Sequence, residues 1–212
     1  MPDAAVPVTW VHVDEACIVV DKPSGLLSVP GRGELDCMAA RVQARYADAR
    51  VVHRLDMATS GLLLFARGAQ AQRRLSEGFA RREVHKRYVA VVHGTVSPPA
   101  GDITLPLLAD WPNRPRQRVD FENGKPSITR FAVLDRDAQA GTTRLELMPT
   151  TGRSHQLRVH LQALGHPILG DALYAPAEVQ ALADRLLLHA DVLGFANPVS
   201  GEWLRFEARA PF

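Results

Sequence analysis

The apolar positions of this chain fall into short runs that are separated by glycine and proline residues. Such runs, some alternating and some continuous, are typical of β-strands in a globular protein. The predicted strands cover residues 17–21, 61–66, 87–93, 102–107, 128–135, 143–148, 186–193 and 203–208.

Helical spacing appears in fewer places. The predicted helices cover residues 37–47 and 69–83, a segment that starts at residue 154, and residues 177–184. Asp36 is the predicted N-cap of the first helix, and Leu157, Leu161 and Leu164 form an apolar stripe along the third. Because strands outnumber helices without alternating regularly with them, the pattern predicts an α+β protein with a mixed, mostly antiparallel β-sheet and flanking helices. We expect one domain over residues 1–212, with two sheet halves around a central catalytic cleft.

The composition is that of an ordinary globular protein. The 212 residues are 46% hydrophobic and 23% charged, and the chain is long enough to form a substantial core. No apolar run approaches the roughly 20 residues that span a bilayer, and the N-terminus does not resemble a secretory signal. Cys17 and Cys37 lie far apart and outside any CxxC motif. We therefore expect a cytoplasmic protein with reduced thiols and no zinc site.

Positive charge is concentrated in arginine clusters, although the net charge is only +2. One cluster spans residues 73–87, and a second comprises Arg114, Arg116 and Arg118 in the stretch WPNRPRQRV. The planar guanidinium fork suits phosphate contacts and stacking on bases, so these clusters indicate a nucleic-acid partner. The alternative is a solvated helix face.

Motifs for metals, cofactors and serine hydrolases are poor. His155 and His160 are five residues apart, which does not place both rings on one face of a helix. Gly31 and Gly33 lack the third glycine of a dinucleotide loop, and no Gly-x-Ser-x-Gly elbow occurs. The sequence thus predicts neither a catalytic metal nor a cofactor.

The stretch VVHRLDMATSGLLLFAR (51–67) places His53, Arg54 and Asp56 between two apolar runs. Burying such charges without partners is costly, so this charged group is either solvated at a turn or functional. Residues 59–61 are predicted to form the turn into the next strand and to present Asp56 at a sheet edge. The alternative is a carboxylate that caps a turn and pairs with a nearby arginine.

A second stretch, TTGRSHQLRVH (150–160), predicts an anion site at the start of a helix. Ser154 is its predicted cap, and Arg153 and Arg158 lie at and just inside the positive helix end. Their ligand would be a phosphate or a carboxylate such as that of Asp56, whose ionised form a guanidinium favours. An ionised carboxylate suits a nucleophile. The alternative is a surface ion pair.

The third stretch, HKRYVAVVHG (85–94), places Tyr88 at the opening of an apolar strand. A tyrosine in this position is either a core residue with its hydroxyl at the rim or a platform for stacking on a base.

Together these stretches resemble the RluA-type pseudouridine synthases. The resemblance is carried by HRLDMATSG (53–61), KRYVAVVHG (86–94) and TGRSHQLRVHLQALGHPILGDALY (151–174), and extends to DKPSGLLSVPGR (21–32) and RLLLHA (185–190). The stretches DWPNRPRQRV (110–119) and GKPSITRF (124–131) are similar to the dual-specificity subgroup that acts on 23S rRNA and tRNA. The expected domain is the pseudouridine synthase fold without an N-terminal S4 domain.

The resemblance implies roles for individual residues. Asp56 matches the essential aspartate that attacks the target nucleotide, Tyr88 the tyrosine that packs on the base and is a candidate proton acceptor, and Arg158 the arginine paired with that aspartate. Arg54 matches the residue that enters the RNA stack when the uridine flips out. The expected substrate-binding residues are Arg54, His53, Arg114, Arg116, Arg153, His155 and Gln156. For His53, the residues alone support only a structural role.

The implied function is the isomerisation of uridine to pseudouridine by an intramolecular transferase that needs no cofactor. Implied targets are uridine 32 in the tRNA anticodon stem-loop and uridine 746 in a 23S rRNA hairpin. The expected protein is a cytoplasmic monomer without DNA or membrane partners. Two alternatives remain open: a non-catalytic RNA-binding or RNA-folding protein, and a glycosidase that releases uracil.

Overall fold

The computed structural model describes residues 7–212, and strands are its main elements. The α-helices are α1 (Met38–Arg45), α2 (Gly68–Ala80), α3 (Gln156–Ala163) and α4 (Ala177–Gln180). The strands are β1 (Thr9–Val13), β2 (Cys17–Lys22), β3 (Ala49–Val51), β4 (Ser60–Arg67), β5 (His85–His93), β6 (Ala100–Thr104), β7 (Leu107–Ala109), β8 (Gln117–Val119), β9 (Ile128–Asp137), β10 (Thr142–Pro149), β11 (Leu188–Ala196) and β12 (Trp203–Glu207). Within residues 7–212 no helix is long and apolar enough to cross a membrane.

The chain divides into two compact units. Unit 1 comprises the residues up to His85 together with Ala190–Arg209, and unit 2 comprises Lys86–His189 and Ala210–Phe212. In unit 1 the strands lie in the order β1-β2-β4-β11-β12, and β3 pairs with β4. The inner strands β2 and β4 are buried along almost their whole length, whereas β1 alternates between exposed and half-buried residues as an edge strand does.

Helix α2 covers one face of this sheet. Its buried residues Ala71 and Leu75 pack in one apolar cluster with Val19, Leu64 and Phe195 from the inner strands. The four-residue spacing of the helical pair places both side chains on the same stripe of α2. Burial of this stripe holds β4 and the loop before it against the core of unit 1.

Gly61 is the second residue of β4 and lies at a point where only glycine fits. Its φ is +113°, and a Cβ there would lie 2.3 Å from the carbonyl oxygen of Ala190 in β11. Both the backbone conformation and the close approach of β11 exclude a side chain. The glycine therefore fixes how the chain enters β4 directly after the charged group at 53–56.

Unit 2 is built on the antiparallel strands β5-β10-β9-β6. Strands β7 and β8 form a separate antiparallel ribbon, which is joined by a 3₁₀ turn over Trp111–Asn113. The ribbon packs against α3 through a small cluster of Leu107, Val159 and Tyr174. This architecture confirms the prediction of an α+β protein with a mostly antiparallel sheet.

Several predicted element boundaries are wrong. The predicted strand 102–107 is two strands, β6 and β7, because Pro106 has no N–H for a sheet ladder. The turn predicted at 59–61 lies instead at residues 57–58, and β4 already begins at Ser60. The short strands β1, β3 and β8 were not among those predicted.

The helix starts also differ from the prediction. The N-cap of α1 is Cys37, whose Sγ accepts a hydrogen bond from the amide of Ala40 at 3.4 Å, while Asp36 pairs with Arg41. Helix α3 begins at Gln156, and its cap is His155 rather than Ser154. Helices α1, α2 and α4 end before the predicted residues 47, 83 and 184.

Candidate active site

Asp56 lies in the loop between β3 and β4, and the residue before it is clamped to another segment. The hydroxyl of Ser28 donates to the carbonyl of Leu55 at 2.7 Å and accepts from its amide at 3.1 Å. The amide of Thr59 donates to the carbonyl of Asp56 at 3.1 Å. The backbone at Asp56 is thus fixed on both sides, while its side chain is half-buried.

Lys22 holds the residue that follows Asp56. Its fully buried ammonium donates to the carbonyls of Pro23 (2.9 Å), Leu26 (2.8 Å) and Met57 (3.1 Å), and the amide of Gly25 also donates to Met57 at 2.9 Å. Three carbonyl acceptors offset much of the cost of burying the charge. The segment 22–28 therefore holds the backbone of the Asp56 loop in place through hydrogen bonds.

The other two charged side chains of this loop have different surroundings. The Nε2 atom of His53 accepts a hydrogen bond from the amide of Leu64 at 3.0 Å, and its ring stacks on Phe79 at 4.7 Å between centroids. Because a backbone amide only donates, Nε2 carries no proton in this arrangement. Arg54 is exposed. His53 thus anchors the loop to β4 and α2, and its predicted substrate contact stays a prediction.

Thr59 stands out within the same loop. Its Oγ1 is buried and has no hydrogen-bond partner among residues 7–212. Buried hydroxyls are nearly always paired, so this atom is the exception in an otherwise well-bonded loop.

Tyr88 lies in β5 of unit 2, opposite Leu147 of β10, with a half-buried side chain. On the same strand, Arg87 forms an ion pair with Glu146 at 3.4 Å. Burial lowers the pKa of Lys86. Of the predicted phosphate-binding cluster, Arg87 is therefore paired with an acidic side chain and Lys86 is partly buried. The arginines of the cluster that lie on and after α2, at 73, 74, 81 and 82, are exposed.

Arg158 is in the first turn of α3 and forms a buried, bidentate ion pair with Asp171. The Nε atom lies 2.8 Å from one carboxylate oxygen, and a terminal nitrogen lies 2.6 Å from the other. Only 4% of the arginine side chain and 1% of the aspartate side chain are exposed. The pairing predicted between Arg158 and Asp56 stays a prediction, but the orientation of the guanidinium is set within unit 2 by Asp171.

Asp171 and Tyr174 complete the support of this arginine. One oxygen of Asp171 also accepts from the amides of Leu173 (2.9 Å) and Tyr174 (3.2 Å). The guanidinium of Arg158 lies 5.1 Å from the centroid of the Tyr174 ring. The phenol oxygen of Tyr174 accepts from the amide of Gln117 at 2.8 Å and is hydrogen-bonded to Nδ1 of His155 at 2.7 Å. The tyrosine therefore links α3 to the β7–β8 ribbon.

The loop before α3 is held by Gln156. Its amide oxygen accepts from the hydroxyl of Thr151 (2.7 Å) and the amide of Arg153 (3.0 Å), and its amide nitrogen donates to the carbonyl of Ile128 and the hydroxyl of Thr129, both at 3.0 Å. All hydrogen-bonding positions of this buried side chain are used. The structure thus gives Gln156 a structural part, and its predicted contact with substrate is untested.

The remaining predicted substrate contacts are mostly on the surface of unit 2. Arg153 is exposed and reaches the carbonyl of Pro126 at 3.4 Å, and His155 adopts a left-handed conformation with φ of 52°. Arg114 and Arg116 are both exposed; Arg114 lies 3.0 Å from the ring centroid of the exposed Trp111. The guanidinium of Arg116 lies 5.4 Å from the ring of Tyr174.

Comparison with known proteins identifies the family. The family model described as RNA pseudouridylate synthase matches residues 16–163, which include the Asp56 loop, Tyr88 and Arg158. The chain belongs to the RNA pseudouridylate synthases. Members of this family are isomerases that act on RNA, and this chain is accordingly an RNA pseudouridine synthase.

Relatives and solved structures support the assignment to the RNA pseudouridylate synthases. The chain is 52% identical to the dual-specificity RNA pseudouridine synthase RluA of Escherichia coli K12 over 95% of its length and 93% of that protein. It is 53% identical to the RluA of Vibrio cholerae, over 92% of this chain and 81% of the relative. The structure of human RNA pseudouridylate synthase domain containing 1 has a TM-score of 0.83 at 28% identity and covers 100% of this chain and 87% of the human one.

Sequence reasoning named the residues of the pseudouridylate synthase motifs but missed those that support them. Lys22, Ser28, Asp171 and Tyr174 all lie in the stretches that carry the resemblance, yet none was given a role. A lysine at the end of an apolar strand and an aspartate after a glycine both look like ordinary surface residues. The usable signal was their position inside matched motifs.

Proposed function

We propose that this RNA pseudouridine synthase modifies uridines in stem-loops of tRNA and 23S rRNA, namely uridine 32 and uridine 746, with Asp56 as nucleophile. The observation that carries the proposal is the Asp56 loop itself. Leu55 is bound by Ser28 and Met57 by Lys22 and Gly25, so the backbone that carries the half-buried Asp56 carboxylate is held in place on both sides. A nucleophile requires such placement because small displacements are costly in rate.

The reaction exchanges one bond to the ribose for another, and the bond that a carboxylate oxygen of Asp56 forms to the target nucleotide breaks again before the product leaves. The bond between ribose C1′ and uracil N1 breaks, the uracil turns, and a bond forms between C1′ and uracil C5. The hydrogen on C5 leaves as a proton, and a proton is taken up at N1. Mass is therefore conserved, and no oxidant or reductant is consumed.

We assign two further catalytic roles from the motif matches. Tyr88 packs on the target base and is a candidate acceptor of the C5 proton. Arg158 pairs with the carboxylate of Asp56. The buried pair with Asp171 supports this role, because it holds the guanidinium in one orientation before RNA binds.

RNA binding, in this proposal, uses exposed arginines. The target uridine has to be extruded, which costs a few kcal/mol and is cheaper in a loop than in a duplex. Arg54 enters the gap left by the uridine, and Arg114, Arg116 and Arg153 contact phosphates; all four side chains are exposed. The Trp111 ring beside Arg114 adds an aromatic surface to this part of unit 2.

Tritium release from RNA labelled at C5 of uridine tests the proposal. We expect release from both a tRNA transcript and a 23S rRNA hairpin, with a product of unchanged mass. Release of free uracil would show a glycosidase instead, and RNA binding without tritium release would show a non-catalytic RNA-binding protein. Release from only one of the two RNAs would contradict the proposed substrate range.

Tyr88→Phe tests the proton-transfer role. We expect turnover to fall severely and RNA binding to change by no more than a few-fold, since the ring remains and only the hydroxyl is lost. The control is Tyr46→Phe, which also removes a single phenol hydroxyl but lies in unit 1 and outside the predicted site. Full activity in Tyr88→Phe would leave stacking as the only role of the ring.

We also propose that residues 1–212 form a single pseudouridine synthase domain and that the protein is a cytoplasmic monomer. These proposals rest on the features of the sequence and on the proposed RNA substrate. Size-exclusion chromatography with light scattering should give the mass of one chain. A concentration-independent dimer would contradict the proposed monomer.

A further inference from the structure

The turn between β1 and β2 in unit 1 gathers three different kinds of metal ligand. His12 is near the end of β1, Asp14 is in the turn, and Cys17 is the first residue of β2. A ring nitrogen of His12, a carboxylate oxygen of Asp14 and the Sγ atom of Cys17 all lie within 4.8 Å of one another. None of these residues belongs to the RNA-modifying site.

In contrast to the expectation from the cysteine spacing, which predicted no zinc site, we propose that His12, Asp14 and Cys17 bind one divalent cation of the zinc class. Nitrogen, oxygen and thiolate ligands around zinc lie about 2.0–2.3 Å from the ion, so tetrahedral ligand atoms are separated by about 3.3–3.8 Å. The three side chains therefore need only small rotations to reach this geometry. Water completes the coordination, because the side chains of His12 and Asp14 are partly exposed.

The carboxylate of Asp14 is already positioned for this role. One of its oxygens accepts from the amides of Ala16 and Cys17, both at 2.7 Å, and the other lies 2.9 Å from Nε2 of His12 and 3.0 Å from Nδ2 of Asn197. These four contacts fix the orientation of the carboxylate beside His12 and Cys17.

The aromatic and charged neighbours are compatible with a cation. The ring of His12 packs on Phe206 at 4.9 Å between centroids, which limits its movement. Arg67 is the nearby positive charge: it donates to the backbone carbonyl of Asp14 at 3.2 Å. Its charge is offset by Asp48, which it contacts at 3.0 Å. The arginine therefore does not leave a net positive field over the site.

Binding balances charge and protons within the cluster. The cation takes the place between Nε2 of His12 and the Asp14 carboxylate, and it is bound by the neutral ring that carries its proton on Nδ1. The thiol of Cys17 loses its proton to solvent, so the 2+ ion meets two anionic ligands and one proton is released.

Cobalt(II) is the probe for this site, used with full-length protein from which any affinity tag has been removed. A thiolate ligand gives a charge-transfer band in the near ultraviolet, and four-coordinate cobalt gives visible bands. We expect both, at one cobalt per chain and with displacement by zinc. Cys17→Ser should remove the charge-transfer band, whereas Cys37→Ser, at the other buried cysteine, should retain it.

His12→Gln tests the site independently of the cysteine. Because His12 is half-buried at the sheet edge, the variant is expected to fold normally and to bind cobalt at least ten-fold more weakly. Absence of a charge-transfer band in the wild-type protein would overturn the proposal. So would a band that persists in Cys17→Ser or disappears in Cys37→Ser, and so would an unchanged affinity in His12→Gln.

Discussion

Asp171→Asn probes the buried support of Arg158 with almost no change in shape. The carboxylate accepts two bonds from Arg158 and two from backbone amides. An asparagine oxygen can keep the backbone bonds and one arginine bond. Its NH₂ group then faces the Nε–H of Arg158, so two donors oppose each other, and the buried guanidinium loses the negative charge of Asp171.

The expected cost follows from the burial of the pair. Removing one partner of a buried ion pair costs about 3–5 kcal/mol, and the bonds that asparagine retains place this variant near the lower end, at about 3 kcal/mol. With an m-value of about 2 kcal/mol per molar urea, the unfolding midpoint should fall by about 1.5 M. Because Arg158 would also lose its fixed orientation, we expect turnover to fall as well.

Asp48→Asn is the matched control. Asp48 also makes a bidentate pair with an arginine, Arg67, but both side chains are substantially exposed. Solvent screens such a pair and side-chain entropy offsets most of its gain. Its urea midpoint should therefore move by less than about one third of the Asp171→Asn shift. Equal shifts in the two variants would refute the argument that burial makes the Arg158–Asp171 pair important.

Three further predictions concern buried polar groups. Lys22→Met should lower both the unfolding midpoint and the turnover, since it removes one of two donors to the carbonyl of Met57, next to the proposed nucleophile Asp56; full activity in a folded variant would contradict this supporting role. Thr59→Val should leave the free energy of unfolding unchanged or raise it, because the hydroxyl has no partner among residues 7–212; a clear loss in urea melts would contradict this. Burial lowers the pKa of His160, so the unfolded chain takes up a proton on this residue before the folded one does as pH falls below about 6.5. Stability should therefore decrease between pH 7.5 and 5.5, and His160→Gln should show a smaller decrease in urea melts at the two pH values; an identical decrease would contradict the assignment.

Strands with strong patterns were predictable from the sequence. The run in β4 is apolar over almost its whole length, and the predicted and observed strands differ by one residue at each end. The short strands β1 and β8 were missed because three to five residues carry too little pattern to distinguish a strand from a loop. Strand β9 extends two residues beyond its predicted end because its last residues pair with β10.

The motif residues of the candidate site were also predictable, but their supporting contacts were not. The carboxylate of Asp56 could be singled out because charge between two apolar runs needs an explanation. The contacts of Lys22 with Met57 and of Arg158 with Asp171 span 35 and 13 residues of sequence. The local pattern of apolar and polar residues does not predict such pairs, because they depend on how distant segments of the chain pack together in the fold.

Single-turnover tritium release by Asp56→Asn tests the central claim most directly. Asp102→Asn, which changes an exposed carboxylate of unit 2, is the control. Loss of a nucleophile removes the chemical step itself, so we expect Asp56→Asn to release tritium at least about a thousand-fold more slowly while binding RNA within a few-fold of wild type. The control should match the wild-type rate. Tritium release by Asp56→Asn at the wild-type rate would contradict the assignment of Asp56 as the nucleophile.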